Sequence, residues 1–177
     1  MKNLLILLSL CLSLFAADKN ACGGEVKKEF ITTEISVFGS VLKPQKLNVA
    51  KLKELNTTEV SQMAIVCGSG ETKDSSVSYK GVKLIDVLDK VVVDIGEKHG
   101  RNKIYVVATA SDGYKALFSY QELENSVIGD KVVVFYEKNG AEVPDYEGKI
   151  GLISANDKKA GPRHIKWLKS IEVVRIK

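Results

Sequence analysis

Apolar and polar positions alternate over short stretches of this chain, and only a few stretches take a helical period. Ile31 to Leu42 reads as a strand, with Ile35 and Val37 alternating with Ser36 and Phe38 before Gly39 breaks the pattern. Lys43-Pro44-Gln45 is a turn, because proline fixes its own φ and restricts its neighbour. From Val49 to Leu55 the spacing is that of a short helix, with Asn48 as its N-cap. Val60 to Val66 is a second strand ending at Cys67, and the polar run from Gly68 to Ser76 reads as a loop. Val77 to Tyr79 returns as a short strand, with Gly81 turning the chain. Val82 to Val92 carries Leu84, Ile85, Leu88 and Val91 on one helical face.

Beyond a loop at Gly96 to Asn102, Ile104 to Ala110 is a strongly β-prone run. Asp112-Gly113 predicts a type I′ hairpin turn onto Ala116 to Phe118. Ser119 and Glu122 have capping-box spacing and open a short helix through Glu124. Val132 to Tyr136 is a buried-type strand, Asn139-Gly140 a turn, and Lys149–Ser154 and Ser170–Ile176 are closing strands. This order predicts a single sheet-rich α+β domain over residues 31–177, with Trp167 anchored in its core.

The N-terminal residues follow a different rule. Lys2 precedes the apolar run Leu4 to Phe15, then Ala16-Ala17 and polar Asp18-Lys19-Asn20. This is the pattern of a secretory signal peptide over residues 1–16, followed by a flexible lead-in over 17–30. The expected address is periplasmic or secreted, by the general secretory route. No later stretch is long and apolar enough to make a transmembrane segment. The formal charge of +4 is spread along 177 residues and does not argue for nucleic acid. Of three cysteines, Cys11 leaves with the signal, so Cys22 and Cys67 remain in a compartment that permits disulfides.

Candidate chemistry concentrates in Gly161-Pro162-Arg163-His164-Ile165-Lys166-Trp167-Leu168. Gly161 and Pro162 hold the approach in a turn. Arg163 offers a planar fork suited to phosphate or carboxylate, and Lys166 a point charge. Asp112 and Asp157 serve either as polar site residues or as turn formers. His99 lies in a charged, solvated loop, and two histidines support no multi-histidine metal site. No Ser-His-Asp, phosphate-loop or zinc-ligand pattern is present.

The wording Gly-x-Arg-x-Ile-Lys-Trp resembles the closing signature of the sulfite-oxidase-fold molybdopterin-binding domain. Tyr79 to Leu88 is similar to that family's Gly-Val-x-Leu-x-x-Leu-Leu segment, and Thr109 to Tyr114 to its Ala-x-Asp-Gly-Tyr hairpin. Ile35 to Leu52 resembles its opening strand, proline turn and helix. The resemblance implies the sulfite oxidase fold, with Arg163, His164 and Lys166 against a pterin and its phosphate. It also implies that Cys67 stands where the family's enzymes bind molybdenum through a thiolate.

Several features depart from the family's pattern. Cys67-Gly68-Ser69-Gly70 replaces the family's Cys-x-Gly-Asn, and the signal lacks the Arg-Arg pair of proteins exported folded with their cofactor. Two readings follow. In one, an exported oxidoreductase-like domain binds an anionic small molecule, a pterin or a periplasmic partner protein in its basic cleft, with molybdopterin or with no cofactor. In the other, it is an active periplasmic molybdopterin-dependent oxidoreductase with Cys67 on the metal. A disulfide between Cys22 and Cys67 is the alternative to that metal role, and a buried free thiol is a third state for Cys67.

Overall fold

The computed structural model describes residues 28–176, so the signal sequence, most of the lead-in, Cys11 and Cys22 lie outside the described residues. Two sheets organise the chain. The first has the order β2-β1-β11-β5-β6, from β1 (Glu34–Gly39), β2 (Gln45–Asn48), β5 (Ile104–Ala110), β6 (Lys115–Ser119) and β11 (Leu168–Arg175). The second has the order β10-β9-β7-β4-β3, from β3 (Thr57–Val66), β4 (Thr72–Lys83), β7 (Val132–Lys138), β9 (Gly151–Ser154) and β10 (His164–Ile165). A short β8 (Ala141–Glu142) pairs with β7. Neighbouring strands are antiparallel except β1 and β11, which run parallel with Val37 opposite Ile171.

Three short helices, α1 (Val49–Lys53), α2 (Leu84–Val91) and α3 (Tyr120–Asn125), complete the α+β domain. Side chains of Asn48 and Ser119 cap α1 and α3 by accepting from the amides of Lys51 and Glu122. α2 buries Leu84, Val87, Leu88 and Val91 against the sheets. Both faces of β7 are buried, which accounts for its unbroken apolar run. Val132, Val134 and Tyr136 join the main core between the sheets, while Val133 and Phe135 join a second cluster with Val60, Ile65, Val77 and Tyr79. The two clusters therefore belong to one domain. Among the described residues no helix is long and apolar enough to cross a membrane.

Three local expectations are corrected. The polar run after Cys67 is mostly strand: β4 begins at Thr72 and pairs with β3, because backbone pairing to a neighbour needs no apolar alternation. Gly81 lies inside β4, beside a register shift in the pairing with β7, so it marks a bulge and not a turn. At the 110–114 hairpin only Gly113 has positive φ, and the amides of Gly113 and Tyr114 bond to Ala110 O and Asp112 Oδ1. That is a three-residue loop with a left-handed glycine, where a type I′ turn would need two positive φ values.

Candidate functional site

The closing loop folds as a single 3₁₀ turn, Gly161–Arg163, then β10, then a sharp bend at Trp167 into β11. Trp167 has φ 48°, a left-handed backbone that non-glycine residues seldom adopt. The bend is held on every side. Trp167 N donates to Glu147 O at 2.8 Å, and its indole Nε1 donates to Asp145 O at 2.9 Å. Its ring, 3% exposed, lies 5.7 Å from the ring of Phe30, at the end of the lead-in. Thr32 Oγ1 and Leu168 O close the same corner at 2.7 Å.

This corner forms one wall of a cleft of about 430 Å³. Cys67 and Gly68 from the turn after β3, Lys73 from β4, Asp112 and Tyr114 from the hairpin, and His164 and Lys166 from the closing loop all line it. Tyr114 Oη donates to Pro162 O at 2.6 Å, tying hairpin to loop. The sequence thus brings His164, Lys166 and Cys67 to one cavity.

Lys73 lines the cleft beside Lys166, and its like charge acts on the Lys166 ammonium. Neither is in an ion pair among the described residues; the Lys166 ammonium lies 5.6 Å and 5.8 Å from the rings of Tyr146 and Trp167. Burial, then the adjacent Lys73, draw the Lys166 pKa down to about 8. A cation with no ion-pair partner among the described residues, in a concave, half-apolar site, is the arrangement an anion completes.

Behind this pair lies a buried polar network. Tyr79 Oη donates to Glu147 Oε2 at 3.0 Å, and His164 Nε2 lies 3.4 Å from the same hydroxyl and 3.7 Å from Glu147 Oε2. Lys138 Nζ donates to Glu147 Oε1 at 2.5 Å. Burial works against the Glu147 anion, but the charge that the facing His164 takes on in acid, the Lys138 ammonium and the Tyr79 hydroxyl outweigh it and hold the carboxyl below its usual range. Burial, then the Glu147 charge, push the Tyr79 phenol up. Burial draws His164 down to about 4, so its imidazole is neutral at pH 7.

Arg163 stands elsewhere. Its Nε and Nη2 donate to both oxygens of Asp157 at 2.7 and 2.6 Å, Nη2 also reaches Glu122 at 3.0 Å, and the guanidinium stacks 4.5 Å from the centre of the Phe118 ring. These bonds raise its pKa further, and it does not line the cleft. The fork is filled by carboxylates of the chain itself. Cys67 is disulfide-bonded, and its expected partner Cys22 lies outside the described residues.

Sequence reasoning missed Lys73, Tyr79, Lys138 and Glu147. Lys73 sat in a stretch read as loop, and Lys138 and Glu147 flank the Asn139-Gly140 turn like ordinary surface charges. Nothing in their spacing marks them: Tyr79 and Lys138 meet through the pairing of β4 with β7, and Glu147 reaches them from the loop before β9.

A family model described as the oxidoreductase molybdopterin binding domain matches residues 24–177. Among solved structures the fold is similar to the sulfane dehydrogenase SoxCD from Paracoccus pantotrophus, with a TM-score of 0.64 and 16% identity over 85% of this chain. That likeness is one of fold, and this chain spans 40% of that one. No curated protein matches the chain. Against a molybdopterin, the lysine pair fits the anionic part of the group. The sulfur does not fit its metal, since a sulfur already bonded to sulfur has no thiolate to offer.

Proposed function

The chain belongs to the oxidoreductase molybdopterin-binding domain family, and from that membership we propose that it is an exported domain whose basic cleft binds a small anion. The observation that carries this reading is the Lys73–Lys166 pair, two neighbouring cations lining one cleft with no ion-pair partner among the described residues. In this reading both lysines take the anion's charge, His164 contacts it from the cleft wall, and Arg163 fixes the loop that presents them. In the same reading Cys22 is the disulfide partner of Cys67, and export follows the signal-like N-terminus. The test is calorimetric titration with inorganic phosphate as a probe. Lys166→Ala and Lys73→Ala should each weaken binding about tenfold or more, as expected for a desolvated charge-assisted contact. Unchanged affinity in both variants would overturn the reading.

The oxidoreductase reading has one observation in its favour: Cys67 lines the same cleft. It requires a free thiolate there. Thiol labelling of native protein without reductant, with elemental analysis for molybdenum, separates the two readings. Blocked thiols without metal support the anion-binding domain; a free Cys67 with stoichiometric molybdenum supports the enzyme.

A further inference from the structure

The hydrogen bonds around His164 fix its tautomer. Tyr79 has a single hydroxyl proton and gives it to Glu147, the anionic acceptor at 3.0 Å. At the contact between Tyr79 Oη and His164 Nε2, 3.4 Å apart, the imidazole must therefore be the donor. The nearby Glu147 Oε2, at 3.7 Å, favours the same choice, since an unprotonated Nε2 would turn its lone pair toward two oxygens. With the proton on Nε2, the neutral ring carries a lone pair on Nδ1.

By elimination Nδ1 is the ring nitrogen left to the cleft. It has no hydrogen-bond partner among the described residues, yet no described side-chain nitrogen or oxygen is both buried and unpaired. His164 is a cleft-lining residue whose side chain is 6% exposed, so the accessible atom is the one facing the cavity. The charged groups around it are Glu147 and Lys138 behind, and Lys166 and Lys73 beside it. Because Glu147 is already bonded to Lys138 and Tyr79, the imidazole stays a neutral acceptor. Asp112, on the opposite hairpin, is a second acceptor lining the cavity.

A fully ionised oxyanion seated on the two lysines would bring an oxygen lone pair against the Nδ1 lone pair. An anion that keeps a proton next to its charge would satisfy both. We infer that the cleft selects anions bearing a hydrogen-bond donor beside the charged group, hydrogen phosphate over sulfate being the simplest case, with His164 Nδ1 as the discriminating acceptor. This rests on the anion-binding reading. A site that uses a buried acceptor in this way rejects the analogue lacking the donor by a large factor, because the acceptor is left unpaired.

The experiment uses the full chain at pH 8 and matched ionic strength, titrated with phosphate, sulfate and phenyl phosphate. All three are dianions of similar shape at the head, and only inorganic phosphate retains a proton. Phosphate should bind about tenfold or more tightly than either other anion. Long-range ¹⁵N–¹H correlation spectra, simplified by the presence of only two histidines, should show the Nε2–H tautomer for His164. Equal affinity for phosphate and sulfate, or an Nδ1–H tautomer, would overturn the inference and leave the anion cleft standing. Failure of all three anions to bind would remove the anion-binding reading and this inference with it.

Discussion

Arg163 and Asp157 form a two-pronged ion pair, Nε to Oδ2 at 2.7 Å and Nη2 to Oδ1 at 2.6 Å, directed away from the cleft that the next residue lines. One turn of chain thus splits its two tasks. Arg163 bolts the loop to α3 through Glu122, and His164 and Lys166 face the cavity. Arg163→Ala should lower stability by about 1–3 kcal/mol, since Asp157 and Glu122 lose their shared partner while partly buried. Urea unfolding measures that loss. Phosphate titration should show affinity within a few-fold of the parent; abolished binding in a folded variant would mean that the guanidinium reaches the ligand.

Lys166 is held for binding at the expense of stability. Its folded-state pKa of about 8 lies below the 10.5 of an ordinary lysine. Between those values the unfolded chain binds more protons, so stability rises with pH there. Below pH 8 both states are protonated and the penalty is complete. Lys166→Met should therefore stabilise the protein at pH 7 by about 1–2 kcal/mol, discounted for a partly exposed ammonium. The gain should shrink toward pH 10.5, and phosphate binding should be lost. Thermal melts across that range check it.

His164 gives the opposite end of the pH scale its slope. Burial lowers it from 6.5 to about 4. Within that window the unfolded state holds the extra proton, so stability falls as pH drops from 6.5 and levels off below 4. The contribution amounts to roughly 3 kcal/mol across the window. In denaturant titrations, wild type should lose about that much more stability than His164→Asn between neutral and acid pH. Parallel curves would place the titration elsewhere.

Gly148 and Trp167 interlock across the bend. A Cβ on Gly148 would lie 2.8 Å from the Trp167 ring and 2.9 Å from its Cα, and Gly148 itself has φ +84°. Gly148→Ala should cost at least about 2 kcal/mol, from left-handed strain together with the overlap. It should also displace Lys166, so a loss of both melting temperature and phosphate affinity is expected. Unchanged melting would mean that the bend relaxes freely.

Much of the fold was legible because it depends on near neighbours. The caps at Asn48 and Ser119, the apolar face of α2 and the doubly buried run at Val132 to Tyr136 are local patterns that short-range physics enforces. The 72–76 part of β4 was not legible, because pairing with β3 satisfies its backbone whatever its side chains are. The site divides along the same line. His164, Lys166 and Cys67 could be picked out from adjacent residues, and one cleft does gather them. Which way Arg163 turns depended on Asp157 and Glu122, one close in sequence and one on α3. The Lys73 partner of Lys166, and the Tyr79, Glu147 and Lys138 groups that set the imidazole, come from β4, β7 and the loop before β9. Isolated along the chain, each is an ordinary polar residue. Only sheet pairing removes them from water together, and that desolvation makes their charges and protons interdependent.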